Sequence, residues 1–169
     1  MSDPLVPEVS GILATARTTG AAQFRIDRAG VWYYLDTPIL REAMVRLFAS
    51  LLRRRGDLYV LQAPDQIIRI DVEDAPFIVV DCSVRESEGE PTLVLQTNIG
   101  DSFPLCLEYP MQMRAAATGG ERRPYQMLRN GIMALIHRNV YYRLVDLAET
   151  EQSSGGFGVR SAGSFFPLD

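Results

Sequence analysis

Short β-branched and aromatic segments, each closed off by turn residues, recur along most of this chain, and helical spacing interrupts them in only two places. A strand of five to eight residues cannot bury its own apolar face. It needs neighbours in a sheet, and the sheet needs a layer over one face. The fold class that follows is α+β: a mixed or antiparallel β-sheet with two main helices. Residues 24–27 (Phe-Arg-Ile-Asp) and 31–35 (Val-Trp-Tyr-Tyr-Leu) flank the turn Arg28-Ala29-Gly30 and read as a hairpin. Further strands are expected at 58–62, 66–72, 77–84, 92–97 and 103–107, the last at a sheet edge because Pro104 lacks an amide hydrogen.

The first helix is expected to open at Thr37-Pro38, with threonine as cap and proline in the first turn. Leu40, Met44, Leu47, Phe48 and Leu51 give it an apolar face, Arg53, Arg54 and Arg55 suit the negative end of its dipole, and Gly56 stops it. The second is expected from about Pro124 to His137, with Met127, Leu128, Ile132, Leu135 and Ile136 on one side. Residues 139–147 then read as a strand, with a helix as the alternative.

Laid against itself, the chain shows a recurring order. Phe24-Arg-Ile-Asp, turn, Val31-Trp-Tyr-Tyr-Leu, Pro38, helix, Arg55, Leu58-Tyr-Val-Leu is matched by Leu95-Gln-Thr-Asn, turn, Phe103-Pro-Leu-Cys-Leu, Pro110, helix, Arg138, Val140-Tyr-Tyr-Arg-Leu. The expected organisation is a loosely docked arm over 1–20 and one α+β unit over 21–150, followed by a tail over 151–169. The unit is read as two related halves, at about 24–85 and 92–148, built from a repeated β-β-α-β-like motif. The tail carries Phe157, Val159, Phe165, Phe166 and Leu168. A free linker is polar, so residues 157–168 are expected to dock, most simply as an added edge strand.

Composition excludes several functions. The net charge is −4 with no basic stripe, so no nucleic-acid partner is expected. All 17 basic residues are arginine. Without lysine, Schiff-base chemistry and a phosphate-loop lysine are unavailable. Cys82 and Cys106 sit singly in apolar runs, which fits buried hydrophobes in a reducing cytoplasm better than a disulfide framework or a zinc site. No segment reaches 18 consecutive apolar residues, and the first residues, with Asp3, Pro4, Pro7 and Glu8, do not read as a secretory signal; no membrane partner is expected. Gly155-Gly156-Phe157-Gly158 lacks the strand and helix that a dinucleotide loop requires.

Several motifs resemble a known bacterial family. Pro38-Ile39 with Arg41, Val45-Arg46-Leu47-Phe48-Ala49-Ser50, Val72-Glu73-Asp74-Ala75-Pro76-Phe77, Thr97-Asn98-Ile99-Gly100-Asp101, and Pro124-Tyr125 with Arg129 are similar to the family catalogued as domain of unknown function 1285, over about residues 24–148. Asp36 stands where the family pattern favours glycine, and Tyr109 where it favours histidine before proline. The resemblance implies an α+β fold with a repeated motif, a link to signal transduction or ligand binding, and no established activity.

Candidate chemistry is sparse. Asp71, Glu73 and Asp74 form an acidic cluster at a strand end, where oxygen ligands suit a hard cation and paired carboxylates can divide acid and base roles; a turn at Asp74-Ala75-Pro76 with solvated carboxylates is the simpler reading. Thr97, Asn98 and Asp101 suit an Asx-type turn that either binds a ligand or joins two strands. His137 is the lone histidine, placed by this reading in the last turn of the second helix, and no nucleophile elbow accompanies it. Trp32, Tyr33, Tyr34, Tyr141 and Tyr142 either pack in the core or line a groove rimmed by Arg41 and Arg129.

The reading that results is a non-catalytic module for a small molecule or peptide, with a role in signal transduction. Its ligand-binding candidates are Trp32, Arg41, Glu73, Asp74, Thr97, Asn98, Asp101, Tyr125, Arg129 and Tyr142, with no catalytic residue, metal or cofactor. The alternative is a metal-assisted hydrolase of a phosphorylated small molecule using Asp71, Glu73 and Asp74. A homodimer through the Pro104 edge is a further expectation.

Overall fold

The computed structural model describes residues 22–116 and 119–169, so the expected arm over 1–20 lies outside the described residues. The chain divides into two units, Met1–Glu73 and Asp74–Asp169. Two α-helices and fifteen strands are present among the described residues, which makes the fold mixed α+β and mostly sheet.

In the first unit, β1 (Phe24–Ile26), β2 (Trp32–Tyr34), β3 (Thr37–Pro38), β4 (Leu52–Arg55), β5 (Leu58–Ala63) and β6 (Gln66–Val72) form one six-stranded sheet in the order β3-β2-β1-β6-β5-β4. All neighbours are antiparallel except β1 and β6. Helix α1 (Glu42–Leu51) packs on β5 and buries Met44 and Phe48. Phe24 meets Phe48 edge-on and Tyr34 at a tilt, both with ring centroids 5.0 Å apart.

In the second unit, β7 (Phe77–Ser87), β8 (Glu90–Thr97), β9 (Ser102–Pro104), β10 (Met111–Ala115), β11 (Arg122–Met127) and β12 (Met133–Ile136) form a sheet in the order β10-β11-β12-β7-β8-β9, with β12 and β7 parallel. Helix α2 (Arg138–Asp146) lies against β7 and buries Val140 and Leu144. Gln126, fully buried on β11, donates from Nε2 to the carbonyls of Pro104 and Tyr109 at 3.2 and 3.3 Å, tying the β9–β10 connection to the far side of the sheet. The chain end adds β13 (Glu149–Thr150), β14 (Phe157–Ser161) and β15 (Ser164–Pro167) as a separate three-stranded sheet.

Both six-stranded sheets run through the same connectivity. Each has a three-stranded meander, then a second meander whose last strand pairs in parallel with the first strand of the unit. The correspondence read from the sequence is offset from this one: it set β1 against β8 and α1 against the β11–β12 hairpin, and it assigned β7 to the first half.

The offset traces to one misread segment. Residues 124–137 are not a helix; they are most of β11, a turn, and β12. Asn130 (φ 59°, ψ 28°) and Gly131 (φ 72°) both take the left-handed conformation, and the amide of Ile132 closes onto the carbonyl of Arg129 at 3.2 Å. This is the Asn-Gly turn that matches the twist of a hairpin, and it overrides the helical spacing around it. The second helix instead occupies 138–146, where Val140 and Leu144 at a four-residue interval supply its buried face; the strand reading of 139–147 gives way to its alternative.

The first helix is also shorter than expected. Thr37-Pro38 pairs with β2 instead of capping, Arg41 is the cap residue, and Leu40 is 85% exposed. The helix ends at Leu51; Leu52 is buried opposite Leu61, so the three arginines that follow lie on edge strand β4. The tail packs on the second unit as its own hairpin and not as an added strand of the main sheet. Val159, Phe166 and Leu168 are buried, and Ser161 Oγ donates to the Leu105 carbonyl at 2.6 Å and accepts from the Leu93 amide at 2.8 Å. Gly158 is required there: a Cβ would stand 2.2 Å from the Phe166 carbonyl oxygen.

Candidate functional site

The clearest convergence of polar groups lies on the β10–β11 hairpin of the second unit. In its register Gln112 faces Tyr125 and Arg114 faces Arg123, so alternation puts these four side chains on one face. Tyr125 is buried, and its hydroxyl donates to Oδ1 of Asp74 at 2.8 Å. Asp74 is itself buried, at the start of the unit before β7, and its Oδ2 stands 3.6 Å from Nη1 of Arg123. The Tyr125 hydroxyl is pushed well above the usual tyrosine range, first by burial and then by the hydrogen bond and negative charge of Asp74; Arg123 and Arg114 pull the other way. A neutral donor is therefore locked onto a buried carboxylate, with two guanidinium groups within electrostatic reach.

Arg114 and Arg123 are like charges placed directly across a strand pair, an arrangement that costs stability unless something of opposite charge lies between them. Asp74 serves Arg123. Arg114 is exposed, and its polar partner among the described residues is the Met133 thioether at 3.1 Å, a weak acceptor for a group with five donors. Arg122 is exposed on the opposite face and donates to the Met113 carbonyl at 2.9 Å.

The sequence-derived candidates are dispersed by comparison. Trp32 is 1% exposed in the core of the first unit, so it lines no groove. Arg41 is the exposed cap residue of α1. Glu73 accepts from Arg25 Nη1 and from the Arg28 amide, both at 3.2 Å. Thr97 is buried on β8; its amide donates to the Asp101 carbonyl at 2.7 Å, while the Asp101 side chain is exposed. Asn98 closes onto β7, accepting the Ile78 amide at its Oδ1 at 3.1 Å, and so fastens the β8–β9 turn. Arg129 lies over the Phe103 ring at 5.6 Å. Tyr142 is exposed on α2 beside Tyr141. Among the described residues, Asp74 and Tyr125 meet through their side chains, while Thr97, Asn98 and Asp101 share the β8–β9 turn through their backbone.

The acidic cluster separates by partner. Asp71 pairs with Arg69 at 3.6 Å, Glu73 with Arg25 and Arg28, and Asp74 with Tyr125 and Arg123. Among the described residues no three His, Cys, Asp or Glu side chains are grouped to hold a metal ion. His137 caps the N-terminus of α2, its Nδ1 accepting from the Asn139 amide at 3.3 Å, and does not close a helix C-terminus as the sequence suggested. A cavity of about 390 Å³ opens beside β13, lined by Glu149, Thr150, Glu151, Gln152, Ser153 and Arg160, but Arg160 already pairs with Glu149 at 2.7 Å and Glu151 at 3.4 Å.

Sequence reasoning missed Arg114 and Arg123. The strand–Asn-Gly–strand pattern of 122–136 would have put Arg122 and Arg123 on a strand, but the pairing of that strand with Arg114 on β10 carries no such local signal.

Two family models cover the chain: the DUF1285 N-terminal domain, a domain of unknown function, over residues 15–75, and the C-terminal domain of the same family, described as a protein of unknown function, over 76–168. Their junction falls within two residues of the division between the two units. A crystal structure of a DUF1285 family protein from Silicibacter pomeroyi DSS-3 is similar at 40% identity, covering 94% of each chain with a TM-score of 0.79. Another, from Shewanella baltica OS155, is similar at 28% identity over 76% of this chain and 94% of that one, with a TM-score of 0.59. No curated protein matches this chain.

Proposed function

The chain belongs to the DUF1285 family, and from the side chains of its second unit we propose that it is a non-catalytic binding module whose β10–β11 face takes an anionic ligand. One observation carries this reading: Arg114 stands exposed opposite Arg123, and among the described residues it has no carboxylate partner. A guanidinium fork is the side chain best matched to planar and tetrahedral anions. Asp74 and Tyr125 serve as the rigid backing, because a buried, hydrogen-bonded carboxylate fixes the position of Arg123. The dispersal of Asp71, Glu73 and Asp74 among different partners lends the hydrolase alternative no geometric support.

Thermal scans of the intact chain against a panel of small anions and short acidic peptides test the reading. A ligand at 100 times its Kd stabilises the folded state by about 2.7 kcal/mol, a shift that is easily resolved. The shift should vanish in Arg114→Ala. If no anion raises the melting temperature, or if Arg114→Ala leaves the shift intact, the site is not a binding site.

A further inference from the structure

Resting on the binding reading above, we propose that the group recognised at this face is a singly charged anion, a carboxylate, and that Asp74 is the residue that rejects doubly charged phosphate monoesters. The argument is a charge count on one strand face. Arg114 and Arg123 bring two positive charges, and Asp74 brings one negative charge, positioned by the Tyr125 hydroxyl and by Arg123. Arg122 lies on the opposite face and Glu121 precedes the strand, so neither enters this count. One unit of positive charge is left, and a monoanion matches it.

A dianion overshoots. Its second charge would face the Asp74 carboxylate, which cannot turn away, because Oδ1 is occupied by the Tyr125 hydroxyl. Specificity of this kind comes from a repulsive group built behind an attractive one. Shape points the same way: two planar guanidinium groups on directly opposed strand positions suit a planar carboxylate held between them. Asp74 is thus a specificity-determining residue and not a metal ligand, and the same carboxylate that the sequence placed in an acidic cluster acquires a role through its arginine neighbours.

The test uses the intact chain and three short peptides of the form Gly-X-Gly with blocked ends, where X is glutamate, sulfotyrosine or phosphotyrosine. Sulfotyrosine is a monoanion and phosphotyrosine carries about −1.5 to −2 at pH 7, so that pair differs in charge at nearly constant shape. Binding is followed by titration calorimetry or by backbone amide shifts of 111–115, 122–123 and 125–127. The glutamate peptide should bind, and its glutamine counterpart should not. Sulfotyrosine should bind at least about tenfold tighter than phosphotyrosine, against the order that charge attraction alone would give. Asp74→Asn, which keeps an oxygen to accept from Tyr125, should reverse that order; if this variant does not fold, the wild-type comparison still decides. Acetate alone competing as well as the peptide assigns a small organic acid, and a clear preference for the peptide assigns an acidic side chain; either supports a carboxylate. Tighter binding of phosphotyrosine by the wild type overturns the inference while leaving the binding reading intact. Failure of every anionic peptide and of acetate to bind overturns both.

Discussion

Replacing Tyr125 with phenylalanine isolates the hydrogen bond that ties β11 of the proposed site to Asp74 at the start of the second unit. The ring remains the same size, so packing around it is preserved. What disappears is a 2.8 Å hydrogen bond to a buried carboxylate, while the contact of Asp74 with Arg123 at 3.6 Å remains. A hydrogen bond to a charged partner contributes about 1.5–3 kcal/mol, and removing a single donor leaves the acceptor desolvated, so the upper half of that range is expected. For a chain of 169 residues, about 2.5 kcal/mol corresponds to a fall of roughly 5–10 °C in melting temperature. The comparison also has a pH signature. The folded-state pKa of Tyr125 is raised, so its stabilising effect is complete below the ordinary tyrosine value near 10 and is lost as pH climbs above it, where the unfolded chain ionises first. Urea unfolding of wild type and Tyr125→Phe at pH 7 and pH 11 should show a gap that narrows at the higher pH. A variant within about 0.5 kcal/mol of wild type at pH 7, or a gap unchanged at pH 11, would refute the account of Asp74 as a buried carboxylate held by this hydroxyl.

Other perturbations read other links in the fold. His137→Asp puts a stronger acceptor, with a favourable charge, at the N-terminus of α2, and should raise stability by about 0.5–1 kcal/mol in thermal melts. Asp81 is held below the usual carboxylate range, first by its 2.6 Å hydrogen bond from Arg143 and then by the Cys82 amide. Its contribution is present above the unfolded value near 3.9 and is lost as pH falls through the lowered one. Arg143→Met should therefore be less stable than wild type at pH 7, with the difference fading in acid. Gly158→Ala drives a methyl into the Phe166 carbonyl and should cost about 1–3 kcal/mol; limited proteolysis after Arg160, slow in the wild type, should become fast.

How much of this was legible in the residues varies by element. Alternation and turn chemistry placed the β1–β2 hairpin and the strands from Leu58 to Thr97, because those signals act within a few residues. The density of aromatic residues in the tail pointed to docking for a similarly local reason: five large apolar side chains need cover. Residues 122–136 show the limit. Met127, Leu128, Ile132, Leu135 and Ile136 satisfy a helical period, while Asn130-Gly131 specifies a reversal, and the chain follows the turn because β7 offers β12 a parallel partner that a lone helix would forgo. The arginine face depends on that choice. Arg114 and Arg123 are nine positions apart in the sequence and only become opposed once β10 and β11 are in register. Asp74 and Tyr125 are separated by 51 positions and meet because the second sheet carries β11 beside β12 and β12 beside β7, to the residues that follow Asp74. The sequence by itself determined which residues are chemically capable and which segments are extended. Tertiary structure alone decided which of them share a face, since strand order and register join residues whose separation along the chain carries no periodic signal.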